Sequence, residues 1–336
     1  MGTGHVMRCL ALAQAWQDAG GKVVFAAAEL LPSLRERLLS EGIDVVAVEG
    51  RPGSPDDARQ VADLAPRLSA RWVVVDGYQF HAEYQRIIKE ETHLKLLFVD
   101  DAGNAGPYCA DIVLNQNLHA VESMYTQRES YTRLLLGAPY ILLRRDFTAS
   151  REPERPINPV GQRLLISMGG SDPDNITAKV VEMLHRLEVP GWEAVAVLGQ
   201  GSPHFADLKD VIESAALPIQ LEQNVADMAK WMRWADLAIT AGGTTIWELA
   251  FMGLPAVAMT RGEHERLLLQ GAVREGIAID VGPFQAVETQ NLRSIVASLA
   301  FDEGRRRRMS EAGRAFVDGR GAARVVESMG RKVLCN

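Results

Sequence analysis

Several things are scarce in this chain of 336 residues, and each shortage excludes something. Cysteine occurs only as Cys9, Cys109 and Cys335, without paired spacing. That excludes a disulfide framework and a C-x-x-C site, and it fits a reducing compartment, so a cytoplasmic location is expected. No apolar run approaches the roughly 18 residues of a membrane span, and no signal-peptide pattern opens the chain, so no span is expected. The net charge is −7, and no basic stripe balances it. Nucleic acid is therefore not an expected partner, and the run Arg305 to Arg308 wraps around a helix as a solvated surface. The seven histidines show no H-x-x-x-H spacing and no G-x-S-x-G elbow occurs, so neither a metal, a cofactor nor a Ser/His/Asp triad is expected.

One further shortage is positional. The chain opens Met1-Gly2-Thr3-Gly4-His5, a glycine loop running directly into a helix whose apolar residues are Val6, Leu10, Leu12, Ala13 and Trp16. Such loops usually follow a β-strand, and none precedes this one. In a doubly wound sheet that strand is central, and its loss would leave unpaired backbone groups costing about 1–3 kcal/mol each when buried. The expectation is that the natural protein has roughly a dozen more residues, about one strand and its loop.

What is present is a globular composition, 47% hydrophobic and 24% charged, in a chain long enough for two domains. Short apolar runs alternate with amphipathic helical stretches. Strands are predicted over 22–27, 43–48, 72–75, 94–99 and 112–114, and again over 164–167, 194–198, 219–221, 237–240 and 256–259. Between the two series lies TASREPERPINPVGQ, rich in proline and charge, which reads as a linker. The predicted fold class is α/β, with two Rossmann-like domains facing a cleft and the first strand of the N-terminal domain absent. The expected boundaries are 1–146, a linker over 147–161, and 162–336, with the last helix packing back on the first domain.

In parallel sheets ligands bind beyond the carboxyl ends of the strands, and three glycine-containing loops fall there. The first carries Gly4 and His5. The second is MGGSDPDN (168–175) and the third TAGGTT (240–245), each opening a helix. Glycine lets backbone N–H groups approach an anion, and a helix N-terminus adds partial positive charge. The latter two loops together read as a diphosphate cradle that needs no lysine. Glu248, one turn into the third loop's helix, is placed either to accept hydrogen bonds from ribose hydroxyls or to favour the helix dipole. His5 is either a general base or a helix-start residue.

The blocks GTGHVMRCLALAQAW, VVDGYQF, FVDDAGN, LLGAPYILLRRDF, MGGSDPDN and GGTTIWELAFMGLPA resemble the UDP-2,4-diacetamido-2,4,6-trideoxy-β-L-altropyranose hydrolases of pseudaminic acid biosynthesis. That family shares the GT-B fold of the UDP-GlcNAc transferase of lipid II synthesis. The resemblance implies that His5 activates a water, which displaces UDP from the anomeric carbon with inversion and without a metal. It implies further that Gly4 and Tyr78 face the sugar and that Gly170, Ser171, Thr244 and Thr245 hold the diphosphate. By the same resemblance Glu248 takes the ribose, and the backbone of Val225 reads uracil. The partner so implied is a small UDP-sugar.

Two departures stand out. Where the family shows an Asn-Gln pair on the sugar side, this chain reads GEHER (262–266), and the family's opening strand is missing. Two other readings stay open: a GT-B glycosyltransferase using the same donor with an alcohol acceptor, and a non-catalytic nucleotide-sugar-binding protein.

Overall fold

The computed structural model describes residues 3–170, 172–199 and 202–331. They divide into two compact units. One comprises the described residues up to Arg144 together with those from Arg320 on, and the other runs from Arg145 to Gly319.

The first unit opens with helix α1 (Thr3–Asp18), so Thr3, Gly4 and His5 form a helical turn rather than the expected loop. A glycine costs little there, because the first N–H groups of a helix have no intrahelical partner, and Gly4 has no neighbour within 4 Å of its missing Cβ. The unit continues through β1 (Val24–Ala27), α2 (Pro32–Ser40), β2 (Asp44–Ala47), α3 (Pro55–Arg67), β3 (Trp72–Asp76) and α4 (Ala82–Glu91). It ends with β4 (Lys95–Val99), β5 (Ile112–Asn115) and β6 (Arg133–Leu136). Its sheet is in two parallel pieces, β1-β2 and β3-β4-β5-β6, and among the described residues no ladder joins them.

Helix α1 spans that division. One face packs Val6, Leu10 and Ala13 against Leu34, Leu38 and Ile43, around the β1-β2 piece. The other packs Ala11, Leu12 and Ala15 against Leu97, Val99 and Leu114 of the four-stranded piece. Leu10 and Leu38 are wholly buried, each contributing about 1.5–3 kcal/mol over exposure.

The second unit holds α5 (Arg145–Ser150), β7 (Arg163–Ser167), α6 (Ile176–Leu184), β8 (Glu193–Leu198), α7 (Phe205–Ser214) and β9 (Ile219–Gln223). Then follow α8 (Met228–Trp234), β10 (Leu237–Ala241), α9 (Thr245–Met252), β11 (Ala256–Thr260), α10 (Glu263–Arg274) and β12 (Ala278–Pro283). Helices α11 (Thr289–Phe301) and α12 (Glu303–Phe316) complete it. Its six parallel strands run in the order β12-β11-β10-β7-β8-β9. Chain direction therefore reverses across the sheet between β7 and β10, the switch point of a doubly wound fold.

Two strands escape the sequence reading, β6 and β12. Both are edge strands paired on one side only, and β12 carries Asp280, Gly282 and Pro283, which an edge tolerates and an interior strand does not. The stretch expected as a linker over 147–161 is also corrected. It begins inside α5, and its arginines staple it to the second unit. Arg151 donates to the carbonyls of Arg314 (2.9 Å) and Val317 (3.3 Å), and Arg155 to those of Met232 (2.9 Å) and Ala235. A charged, proline-rich segment looks solvated in sequence, but guanidinium groups can satisfy orphaned helix-end carbonyls.

The last helix, α13 (Gly321–Ser328), lies in the first unit, with Ala322, Val325 and Val326 against α1. Its first residue meets backbone: a Cβ on Gly321 would sit 2.1 Å from the carbonyl oxygen of Ile141. Gly321→Ala is expected to destabilise the protein by about 1–3 kcal/mol through overpacking, read as a lower urea midpoint. An unchanged midpoint would mean that α13 can shift without loss.

Candidate functional site

In the first unit, polar residues directly follow apolar strands. β3 ends in Asp76, β4 runs into Asp100 and Asp101, and β5 ends in Asn115 before Gln116 and Asn117. All six side chains are buried at the carboxyl ends of adjacent strands. Facing them is α1, whose His5, Arg8 and Cys9 lie at the i, i+3 and i+4 spacing that puts three side chains on one helix face. All three meet the carboxylate of Asp76. His5 Nδ1 is 2.8 Å from Oδ1, Arg8 Nε donates to Oδ2 at 2.6 Å, and Cys9 Sγ is 3.3 Å from Oδ2. Arg8 Nη2 donates to Asp76 Oδ1 at 2.5 Å, and Nη1 to Asp101 Oδ1 at 2.7 Å. Asn117 Nδ2 donates to the same Asp101 oxygen at 2.9 Å.

The electrostatics follow from this packing. Burial alone would raise the Asp76 carboxyl, but the charge and hydrogen bonds of Arg8, with His5, hold it down to about 2. Asp101 is lowered in the same way, against its own burial, by Arg8 and Asn117. Burial pushes the Cys9 thiol well up, so it is a protonated donor and not a nucleophile. With Asp76 ionised, His5 Nδ1 is the donor to it. Arg8 Nη2, 3.0 Å from the same nitrogen, directs one of its two protons to that same carboxylate oxygen. Nε2 then carries the lone pair, the tautomer of a base oriented by a carboxylate. The Tyr78 ring stands edge-on to the imidazole, with centroids 4.9 Å apart and planes at 84°. Together His5, Arg8, Tyr78, Asp101 and Asn104 line a pocket with room for about one water molecule.

In the second unit the loops after β7 and β10 flank the switch point. Gly169 has φ +95°, and Gly170 is pressed so close to Gly199 that a Cβ on the latter would strike its carbonyl. Ser171 lies outside the described residues. The N-terminus of α6, expected to help bind an anion, is corrected. The buried Asp172 carboxylate accepts from Ile176 N at 2.8 Å and Thr177 N at 2.9 Å, so an internal anion already occupies that helix end. At α9 no side chain caps the N-terminus, and Thr244, Thr245 and Glu248 lie in and just before its first turn. Val225 follows β9 beside Asn224, whose φ is +53°.

The structure thus brings His5 beside Tyr78, and Gly170, Thr244, Thr245 and Glu248 onto the ends of neighbouring strands, with Val225 beyond the edge strand β9. Sequence reasoning assigned no role to Asp76, Arg8, Asp101 and Asn117. The available signal was the repeated pattern of an apolar strand ending in a carboxylate or amide. It also passed over Arg261 and Glu265, just after β11. Glu265 accepts from Arg261 N at 2.8 Å and from Arg261 Nε at 2.8 Å.

A doubly wound second unit with glycine loops at its switch point is the architecture of nucleotide-binding α/β proteins. Residues 164–272 match the glycosyltransferase family 28 C-terminal domain. A crystal structure of Acinetobacter baumannii MurG superposes with a TM-score of 0.66 at 17% identity, covering 97% of this chain and 96% of that one. The fold is therefore of the GT-B, glycosyltransferase-like type. Among curated proteins, the spore coat polysaccharide biosynthesis protein SpsG of Bacillus subtilis is 28% identical over 246 residues, 73% of this chain and 71% of that protein. The UDP-2,4-diacetamido-2,4,6-trideoxy-β-L-altropyranose hydrolase of Campylobacter jejuni is 26% identical over 190 residues, 56% of this chain and 63% of that protein. No helix among the described residues is long and apolar enough to cross a membrane.

The depressed Asp76 carboxyl makes a pH prediction. Its folded value, about 2, lies below the ordinary 3.8, so its contribution is full above pH ~4 and is lost as pH falls through ~2. The shift corresponds to about 2 kcal/mol. Asp76→Asn should be less stable than the parent at pH 6, and the gap should narrow by roughly that amount between pH 5 and pH 2. A gap independent of pH would show that Asp76 is not held as an ion by Arg8.

Proposed function

We propose that this chain hydrolyses a UDP-linked 2,4-diacetamido-2,4,6-trideoxy sugar, releasing free sugar and UDP, as a step of pseudaminic acid biosynthesis. The observation that carries the reading is the His5–Asp76 pair. A buried carboxylate fixes Nδ1 as donor and leaves Nε2 to take a proton beside a pocket of about one water's volume. In the proposed step Nε2 removes a proton from water as its oxygen bonds to the anomeric carbon. The bond from that carbon to the phosphate oxygen breaks on the opposite face, its electron pair leaving with UDP, and the configuration inverts. Asp76 offsets the charge of the imidazolium that forms.

The other assignments belong to the same proposal. Gly4 and Tyr78 border the sugar; Gly170, Ser171, Thr244 and Thr245 hold the diphosphate; Glu248 takes the ribose hydroxyls; the backbone of Val225 reads the uracil edge. The activity named for the C. jejuni relative supports the sugar. The family 28 match supports a second reading, glycosyl transfer from the same donor to an alcohol.

The deciding experiment mixes the protein with the UDP-sugar and no acceptor. Release of UDP and free sugar at a catalytic rate supports hydrolysis, whereas turnover only after an alcohol is added supports transfer. His5→Asn should lower turnover by about 10²–10⁴ while UDP affinity stays near the parent's, since the proposed phosphate contacts are in the second unit. Glu248→Ala should do the reverse, weakening UDP by about 1.5–3 kcal/mol. Parent-like turnover in His5→Asn would remove it as the base.

A further inference from the structure

The two loops at the β7/β10 switch point offer backbone N–H groups and one uncapped helix N-terminus, but no formal positive charge. With α6 already occupied by Asp172, that is a meagre counterweight for a diphosphate. The next strand, β11, supplies what is missing. Arg261 follows it directly, and Glu265, in the first turn of α10, grips the arginine. Its Oε2 accepts from the Arg261 backbone N–H at 2.8 Å, while Oε1 takes both Nε, at 2.8 Å, and Nη2.

That grip fixes the guanidinium between the two glycine loops. Nη2 lies 3.9 Å from where a Cβ on Gly169 would sit, and Glu265 Oε1 lies 3.9 Å from the equivalent point on Gly243. A guanidinium has two edges that can each make paired hydrogen bonds. Glu265 occupies the Nε/Nη2 edge, leaving Nη1 and the second Nη2 proton for another oxyanion. Because the carboxylate already holds the side chain in place, little rotamer freedom is left to lose when a ligand arrives.

We propose that Arg261, positioned by Glu265, is an anion-binding residue of the second unit and takes the diphosphate of the nucleotide. The assignment rests on the reading of this unit as a nucleotide-diphosphate site. It gives a role to the GEHER segment, which stands where the resembled family has an Asn-Gln pair. It also implies that this segment positions a cation for the leaving group rather than making amide contacts to the sugar.

Calorimetry on the full chain tests it, with UDP, uridine and inorganic pyrophosphate as ligands and thermal unfolding as the check on folding. Arg261→Met should weaken UDP and pyrophosphate about tenfold or more and leave uridine unchanged, the pattern of a lost charge-assisted contact. Arg261→Lys, which keeps the charge but not the paired edge, should fall between. Glu265→Gln should weaken the same two ligands less than Arg261→Met does, uridine again being unaffected. UDP and pyrophosphate affinities within twofold of the parent in Arg261→Met would overturn the proposal, as would equal losses for all three ligands. If the parent binds pyrophosphate through Arg261 but not UDP, the nucleotide reading fails while the anion site stands. If the parent binds neither, both fail.

Discussion

The first unit depends on a buried guanidinium. Arg8 bonds Asp76 at the end of β3 and Asp101 just past β4. A lone charge at that depth would be prohibitive, and two carboxylates there without a cation would repel each other. Together they are tolerable, and the geometry that makes them so fixes α1 in rotation and height against the strand ends. His5 comes with it, one turn before Arg8. Breaking such a pair typically costs 3–5 kcal/mol, a large part of a usual net stability of 5–15 kcal/mol. The same constraint therefore holds the fold and aims the imidazole.

It also accounts for why α1 can serve a sheet in two pieces. The apolar contacts of α1 fasten it to both pieces, but apolar contacts are non-directional and would permit it to slide or roll. The ion cluster at its N-terminal end supplies the directionality. The second unit solves its positioning problem differently. There the sheet is continuous, and β7 and β10 place two backbone loops side by side, with Gly242 where a Cβ would come within 3.1 Å of the Glu265 carbonyl oxygen. Side chains act at its margin: Asp172 closes one helix end, and the Arg261–Glu265 pair stands at the next strand.

Much of this was legible in the chain, for a physical reason. Parallel strands buried on both faces are nearly continuous apolar runs, such as LLFV before Asp100 and IVL before Asn115, and these stand out from the helices between them. Legibility fails where one side of the pattern is missing. β6 is a run of only four residues, and β12 is an edge strand interrupted by Asp280, Gly282 and Pro283. Arg155 looks like a solvated linker residue until the carbonyls it serves come together through a contact about eighty residues away in sequence. At the site, Gly4, His5 and the loop of Gly170 and Ser171 are singled out by glycine chemistry, and Tyr78 and Val225 by resemblance alone. Asp76 and Arg8 needed the fold, because nothing in their 68-residue separation says that they meet.

The division of labour between base and nucleophile has a consequence for the class of reaction. Hydrolysis and glycosyl transfer from one donor share the leaving group and the developing charge, so in the proposed role His5 and Asp76 would serve either equally. What differs is the size of the group that must reach Nε2. The pocket against His5 in this unit is walled by Arg8, Tyr78, Asp101 and Asn104 and has room for about one water. Arg8 and Asp101 are locked to each other, and Asp101 is held again by Asn117, so that wall does not widen without breaking buried ionic contacts. Tyr78, 60% exposed and hydrogen-bonded to Asp101, forms the outer part of that wall with the exposed Asn104. On the proposed reading, selection of water over a larger alcohol therefore falls to this wall and not to the base.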